Sequence, residues 1–81
     1  MKPEIVEARY IVPPKDIYYI SWIIDAAEGI GFLQTDDAKH GIVTIFTPKE
    51  QLCYVKELME ALKDEGLEIK DYITEEIENR V

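Results

Sequence analysis

Val12-Pro-Pro-Lys-Asp-Ile-Tyr-Tyr-Ile-Ser-Trp-Ile-Ile-Asp-Ala-Ala-Glu-Gly-Ile-Gly31 is the stretch on which the fold turns. Proline has no N–H for a sheet ladder, so Pro13 and Pro14 end the strand before them. Pro14 then suits a first helical position, where a missing N–H costs nothing. Asp16 falls in the first turn, against the positive end of the helix dipole. Gly29 and Gly31 bracket the exit, which reads as a left-handed cap. At about 100° per residue, Ile17, Ile20, Ile23, Ile24 and Ala27 form one stripe, the core face. Tyr18, Tyr19, Trp22 and Ala26 gather on a neighbouring flank, and only Lys15, Asp16, Asp25 and Glu28 break up the apolar surface. A helix so composed is expected to be covered on two sides.

Working outward, Ile5 to Val12 alternates. Val6, Ala8, Tyr10 and Val12 share one face, and Glu7 and Arg9 lie on the other, the pattern of a half-buried strand. Beyond the helix, Phe32 to Thr35 starts a short edge strand, and Thr35 to Gly41 is turn chemistry. Ile42 to Thr47 is apolar on both faces, Ile42 and Phe46 against Val43 and Ile45, as a central strand should be. Thr47-Pro48-Lys49-Glu50 reads as a capping box opening a second helix. Leu52, Val55, Leu58, Met59 and Leu62 follow at helical spacing, and Gly66 ends it. Leu67 to Ile73 alternates again, while Thr74 to Val81 forms a tail anchored at most by Ile77 and Val81.

The order β-α-β-β-α-β with right-handed crossovers predicts a ferredoxin-like α+β sandwich. Its sheet has four antiparallel strands near residues 4–12, 31–36, 41–47 and 67–73. Both helices, near 14–28 and 48–65, lie on one face. The first and third strands are central. The other sheet face carries Ile11, Ile42, Phe46 and Tyr72, more apolar than water alone favours.

Composition bounds the function. The 81 residues make one small domain, and 47% hydrophobic content excludes a disordered chain. Seventeen acidic residues against nine basic ones give a net charge of -8, which repels nucleic acid and anionic membranes. No apolar run approaches the ~18 residues of a membrane span. The amino terminus lacks a secretory pattern, and a lone Cys53 fits a reducing compartment, so a cytoplasmic location is expected.

Little in the chain carries catalysis or a cofactor. Asp36, Asp37 and His40 could give two carboxylates and an imidazole to a metal, but turns favour these residue types and no second His completes a site; a plain hairpin turn is expected. Cys53 has no base to activate it and reads as a partly buried, inert thiol. Gly29-Ile30-Gly31 follows a helix instead of opening one, so it is no phosphate loop. Pro13, Pro14, Lys15 and Asp16 lie between strand and helix, where free N–H groups of Lys15, Asp16 and Ile17 could hold a small ligand. Tyr18 and Trp22, beside a stripe already filled by isoleucines, mark an interface. Ile42 and Phe46, opposite the helices, mark a second apolar surface. The chain is therefore expected to be a homodimer or higher homo-oligomer, with a protein partner or small molecule as the further ligand classes.

Four short motifs carry a resemblance: Pro14-Lys15-Asp16-Ile17, Glu28-Gly29-Ile30-Gly31, Thr35-Asp36-Asp37 and Gly41-Ile42-Val43. With them the run from about residue 8 to 72 resembles a family of short bacterial domains of unknown function. It is also similar to the ACT-like branch of the ferredoxin-like folds. The resemblance implies one ACT-like domain over residues 1–81, with 74–81 as its tail, and no established activity. ACT domains typically bind amino acids near the first strand–helix loop, at subunit contacts. Their loop has a D-x-x-G-like turn, whose glycine Val12-Pro13-Pro14-Lys15 lacks. The expectation is a self-associating module with a regulatory or amino-acid-sensing role, against a ligand-free interaction adaptor.

Overall fold

The computed structural model describes residues 4–27 and 29–72. Along them run β1 (Ile5–Ile11), a 3-10 turn (Pro14–Asp16), α1 (Ile17–Ala26), β2 (Phe32–Asp37) and β3 (Ile42–Pro48). A second 3-10 turn (Lys49–Gln51), α2 (Leu52–Asp64) and β4 (Lys70–Asp71) follow. The sheet order is β2-β3-β1-β4 with every neighbour antiparallel, so β1 and β3 are central. This is the ferredoxin-like α+β layout that the strand patterns predict.

Period-two alternation decides which side of each strand is buried. Ala8, Tyr10 and Val12 of the first strand segment join Val43 and Ile45 of β3 beneath the helices. Ile20 and Ile24 of α1 and Val55, Met59 and Leu62 of α2 close over them. Ile20, Ile24, Val43, Ile45 and Val55 are completely buried. Each such side chain stabilises the fold by roughly 1.5–3 kcal/mol. Ile17, Ile23 and Ala27 pack at the margin of this core, so the stripe read from the sequence is the core face of α1.

Two glycines permit close approaches that join the layers. Gly41 has φ +74°, its carbonyl accepts the Val12 N–H at 2.8 Å, and a Cβ there would lie 1.8 Å from the Val12 carbonyl oxygen. Gly31, at φ +138°, would place a Cβ 2.0 Å from the carbonyl oxygen of Phe46. No side chain fits at either position.

Three boundaries differ from the sequence reading. Thr47 does not cap α2: it is a buried residue of β3, and the chain enters the second 3-10 turn from Pro48 without a side-chain cap. The reason is pairing. Pro48 sits opposite Ile5, and the Lys49 N–H donates to the Glu4 carbonyl at 2.8 Å, so the sheet runs on through the capping position. Each helix also begins with a 3-10 turn, leaving α1 at ten residues. Finally, β4 pairs only through Lys70 and Asp71, opposite Ile11 and Tyr10, although Tyr72 adds one bond from its N–H to the Arg9 carbonyl at 3.0 Å. Gly66 and Leu67 are occupied upstream in closing α2, donating to Lys63 and Leu62. The expectations for Glu28, Ile73 and the tail from Thr74 to Val81 lie outside the described residues.

Candidate functional site

The loop between β1 and α1 is less open to a ligand than its position implies. The Asp16 N–H donates to the Pro13 carbonyl at 2.8 Å, and the Ile17 N–H donates to the Pro14 carbonyl. The 3-10 turn thus consumes two of the three N–H groups that the sequence offered as free. What remains is a hollow of about 240 Å³ lined by Pro13, Lys15, Asp16, Gly66 and Glu68. Pro14 is exposed beside it. Two carboxylates and one ammonium group face this hollow, a balance that opposes a simple anion.

Asp36, Asp37 and His40 do not converge. Asp37 organises the hairpin turn: its Oδ1 accepts the N–H groups of Lys39 and His40 at 3.1 and 3.2 Å, and its Oδ2 lies 2.8 Å from His40 Nδ1. These bonds, the His40 side chain first, hold the Asp37 carboxyl below its ordinary range. Asp36 turns away to the sheet's open face, helped by a register shift between Thr35 and Asp37. Among the described residues, no three His, Cys, Asp or Glu side chains are grouped to hold a metal ion. Cys53 is exposed, which corrects the partly buried thiol expected from its place beside the apolar stripe of α2.

On α1 the aromatics stand further from the core than a flank. Trp22 follows Ile20 by two residues and so lies about 160° around the helix from it. Trp22 is 67% exposed and Tyr18, one turn earlier, is 90% exposed, with Tyr19 less so. Within one chain the helix is covered on one side alone.

The open sheet face is where residues from different strands do meet. Register places Arg9 opposite Thr44, and Thr44 opposite Gln34. Arg9 Nε donates to the Thr44 hydroxyl at 3.0 Å, that hydroxyl donates to Asp36 Oδ2, and Gln34 Nε2 donates to Asp36 Oδ1 at 2.8 Å. Arg9 Nη2 also reaches Glu7 Oε1 at 3.2 Å, and its guanidinium carbon lies 6.0 Å from the centre of the Tyr72 ring. The Thr44 hydroxyl above all, then the Gln34 amide and Arg9, holds the Asp36 carboxyl below its usual range. Thr44 is only 1% exposed although no described element crosses this face.

Apolar rows flank that cluster. Phe32 and Phe46 stack with ring centres 5.1 Å apart, next to an exposed Ile5. At the other end Ile11 and Ile42 pair and are half-buried. The sequence reading found Ile11, Ile42, Phe46 and Tyr72 here but missed the polar core of the face. The available signal was a lone polar residue, Thr44, between two apolar neighbours on its face, with Arg9 on the same face of β1.

No helix among the described residues is long and apolar enough to cross a membrane. No curated protein and no solved structure matches the chain. The model of one family, described as Domain of unknown function (DUF4911), matches residues 10–65. That span covers α1, β2, β3, α2 and the last two residues of β1, and the chain belongs to this family.

Proposed function

We propose that this protein is a small, non-catalytic, ACT-like cytoplasmic module that works by self-association, two copies packing open sheet face against open sheet face. The observation that carries this is the composition of the face: apolar rows at both ends, around polar groups that are already paired. Polar atoms entering an interface must keep their hydrogen bonds, or desolvation opposes association. Arg9, Thr44, Asp36 and Gln34 keep theirs within one chain. The face is also self-complementary. Glu7 and Arg9 lie two residues apart on β1, so a two-fold axis between them sets Glu7 of each copy against Arg9 of the other. Two sheets stacked this way sit about 10 Å apart, with Phe32, Phe46, Ile11 and Ile42 filling the gap. Sedimentation over a concentration series tests the reading. Twice the chain mass at high micromolar concentration supports it, and a single chain mass there overturns it.

A regulatory or amino-acid-sensing role rests on the hollow beside Pro13, Lys15 and Asp16. Its mixture of two carboxylates and one ammonium group suits a zwitterion better than an anion. A ligand that prefers the native state raises Tm, so a thermal-shift series of amino acids against small anions tests this part. Stabilisation by an amino acid alone supports sensing. No shift from either set favours the alternative, an adaptor that needs no ligand.

A further inference from the structure

The outer surface of the helix layer has no part in the association proposed above. It carries four exposed aromatics, Tyr18, Tyr19 and Trp22 on α1 and Tyr54 on α2. Their places on the layer follow from helical geometry. Lys63 bonds Glu60 at 3.0 Å and reaches towards Asp71 of β4 at 4.0 Å, which marks the flank of α2 nearest that edge. Tyr54 precedes Lys63 by nine residues, about 180° around the helix, and so lies on the flank towards α1. Tyr54 is half exposed there, as Tyr19 is on α1. The four rings therefore lie on the outer side of α1 and on the flank of α2 that faces it, all on the helix layer's side of the sheet.

The charge on these helices has one prevailing sign. From Lys15 to Ala26 and from Lys49 to Glu65 the helical segments carry seven carboxylates and four lysines. Two of those lysines have carboxylate neighbours already, Lys63 with Glu60 and Lys49 with Glu4 at 3.8 Å. Asp25 on α1 and Glu57 and Asp64 on α2 are exposed on the same two helices as the rings. A second copy laid on this surface would set one acidic surface against another in a chain of net charge -8. An anionic membrane would be repelled for the same reason.

We infer that the outer helix surface is a docking site for a cationic amphipathic helix of a partner protein. Apolar anchors of such a helix would lie across Tyr18, Tyr19, Trp22 and Tyr54, with its Lys and Arg residues towards Asp25, Glu57 and Asp64. A helix laid along helices is a recurring mode of recognition, and aromatic faces add attraction for Lys and Arg. This is separate from self-association, which uses the opposite side of the sheet.

Trp22 is the only tryptophan in the chain and reports directly on the site. The probe is a synthetic helix of leucine and lysine at amphipathic spacing, about four turns long. Its control has glutamate in place of lysine. Titration with the lysine peptide should shift Trp22 emission to the blue and saturate. Affinity should fall about tenfold as ionic strength rises from low to physiological. Tyr18→Ala, at a position almost wholly in solvent, should weaken binding several-fold with the circular dichroism spectrum unchanged. Phe46→Ser should leave the titration as in wild type, even if it abolishes self-association. Three results would overturn the inference: equal binding of the glutamate peptide, no emission shift with the lysine peptide, or a shift produced by raising the protein concentration alone. A shift with anionic vesicles but not with the lysine peptide would also overturn it, assigning the surface to lipid.

Discussion

On the open sheet face, Arg9 meets Thr44, Asp36 and Glu7, so the polar groups are matched within one chain. On the outer face of α1, Tyr18 and Trp22 stand in water, with the exposed Asp25 three residues beyond Trp22. The difference begins in secondary structure. Neighbouring strands bring residues 35 positions apart, such as Arg9 and Thr44, into direct contact, so a sheet face can assemble a closed cluster. A helix face gathers only its own i, i+3 and i+4 neighbours, which around Trp22 are Tyr18, Tyr19, Asp25 and Ala26, with no cation to pair the carboxylate. A face whose polar groups are already paired within the chain suits a copy of itself. A face with one prevailing charge asks for something of opposite sign.

The contrast can be broken from either side. The largest effect should come from the buried side of α1. Ile24→Ala removes a side chain with no exposure and should cost about 3 kcal/mol in urea denaturation. A cost near zero would mean that α1 does not hold the core.

Alkaline titration should show the next largest effect. Burial first, then Asp71 and Glu60, pushes the Tyr10 hydroxyl up to about 12 from 10.0. The neutral phenol is thus favoured in the folded chain, while the unfolded chain ionises earlier. Stability is fully present below pH 10 and should fall on the order of 2 kcal/mol as pH rises from 10 towards 12. Tyr10→Phe should flatten that loss.

Thr44→Val keeps the shape of the residue and removes the hydroxyl that joins Arg9 to Asp36. It should cost roughly 1–2 kcal/mol, because two charged groups lose a partner on a nearly closed face. It should also return the Asp36 carboxyl towards its ordinary range, which NMR titration would read. The smallest effect belongs to the outer helix face. Trp22→Ala and Tyr18→Ala should each change stability by less than about 0.5 kcal/mol. A larger loss would mean that these rings already pack within the fold.

Much of the layout was legible because it rests on local chemistry. Proline pairs and glycines set the ends of α1, alternation set the faces of β1 and β3, and the isoleucine stripe set the buried side. What the sequence hid was non-local. Thr47 has every property of a helix cap, yet pairing between β1 and β3 carries the strand through it, and only the partner strand supplies that information. The apparent anion site lost two of its N–H groups to a 3-10 turn that periodicity does not distinguish from an α-helical start. The Arg9–Thr44–Asp36 cluster was invisible as a unit because its members lie on three strands. Trp22 reads from the sequence as a flank residue, whereas helical spacing sets it about 160° from Ile20, on the back of the five-residue core stripe, where it is exposed.

Sedimentation equilibrium of the wild type beside Phe46→Ser and Trp22→Ala, each checked for fold by circular dichroism, tests the central claim most directly. The account predicts a wild-type dimer, a dimer for Trp22→Ala and a folded monomer for Phe46→Ser. A wild type that stays monomeric at high micromolar concentration would contradict it. So would a Trp22→Ala monomer beside a Phe46→Ser dimer, which would move the self-association to the helix face.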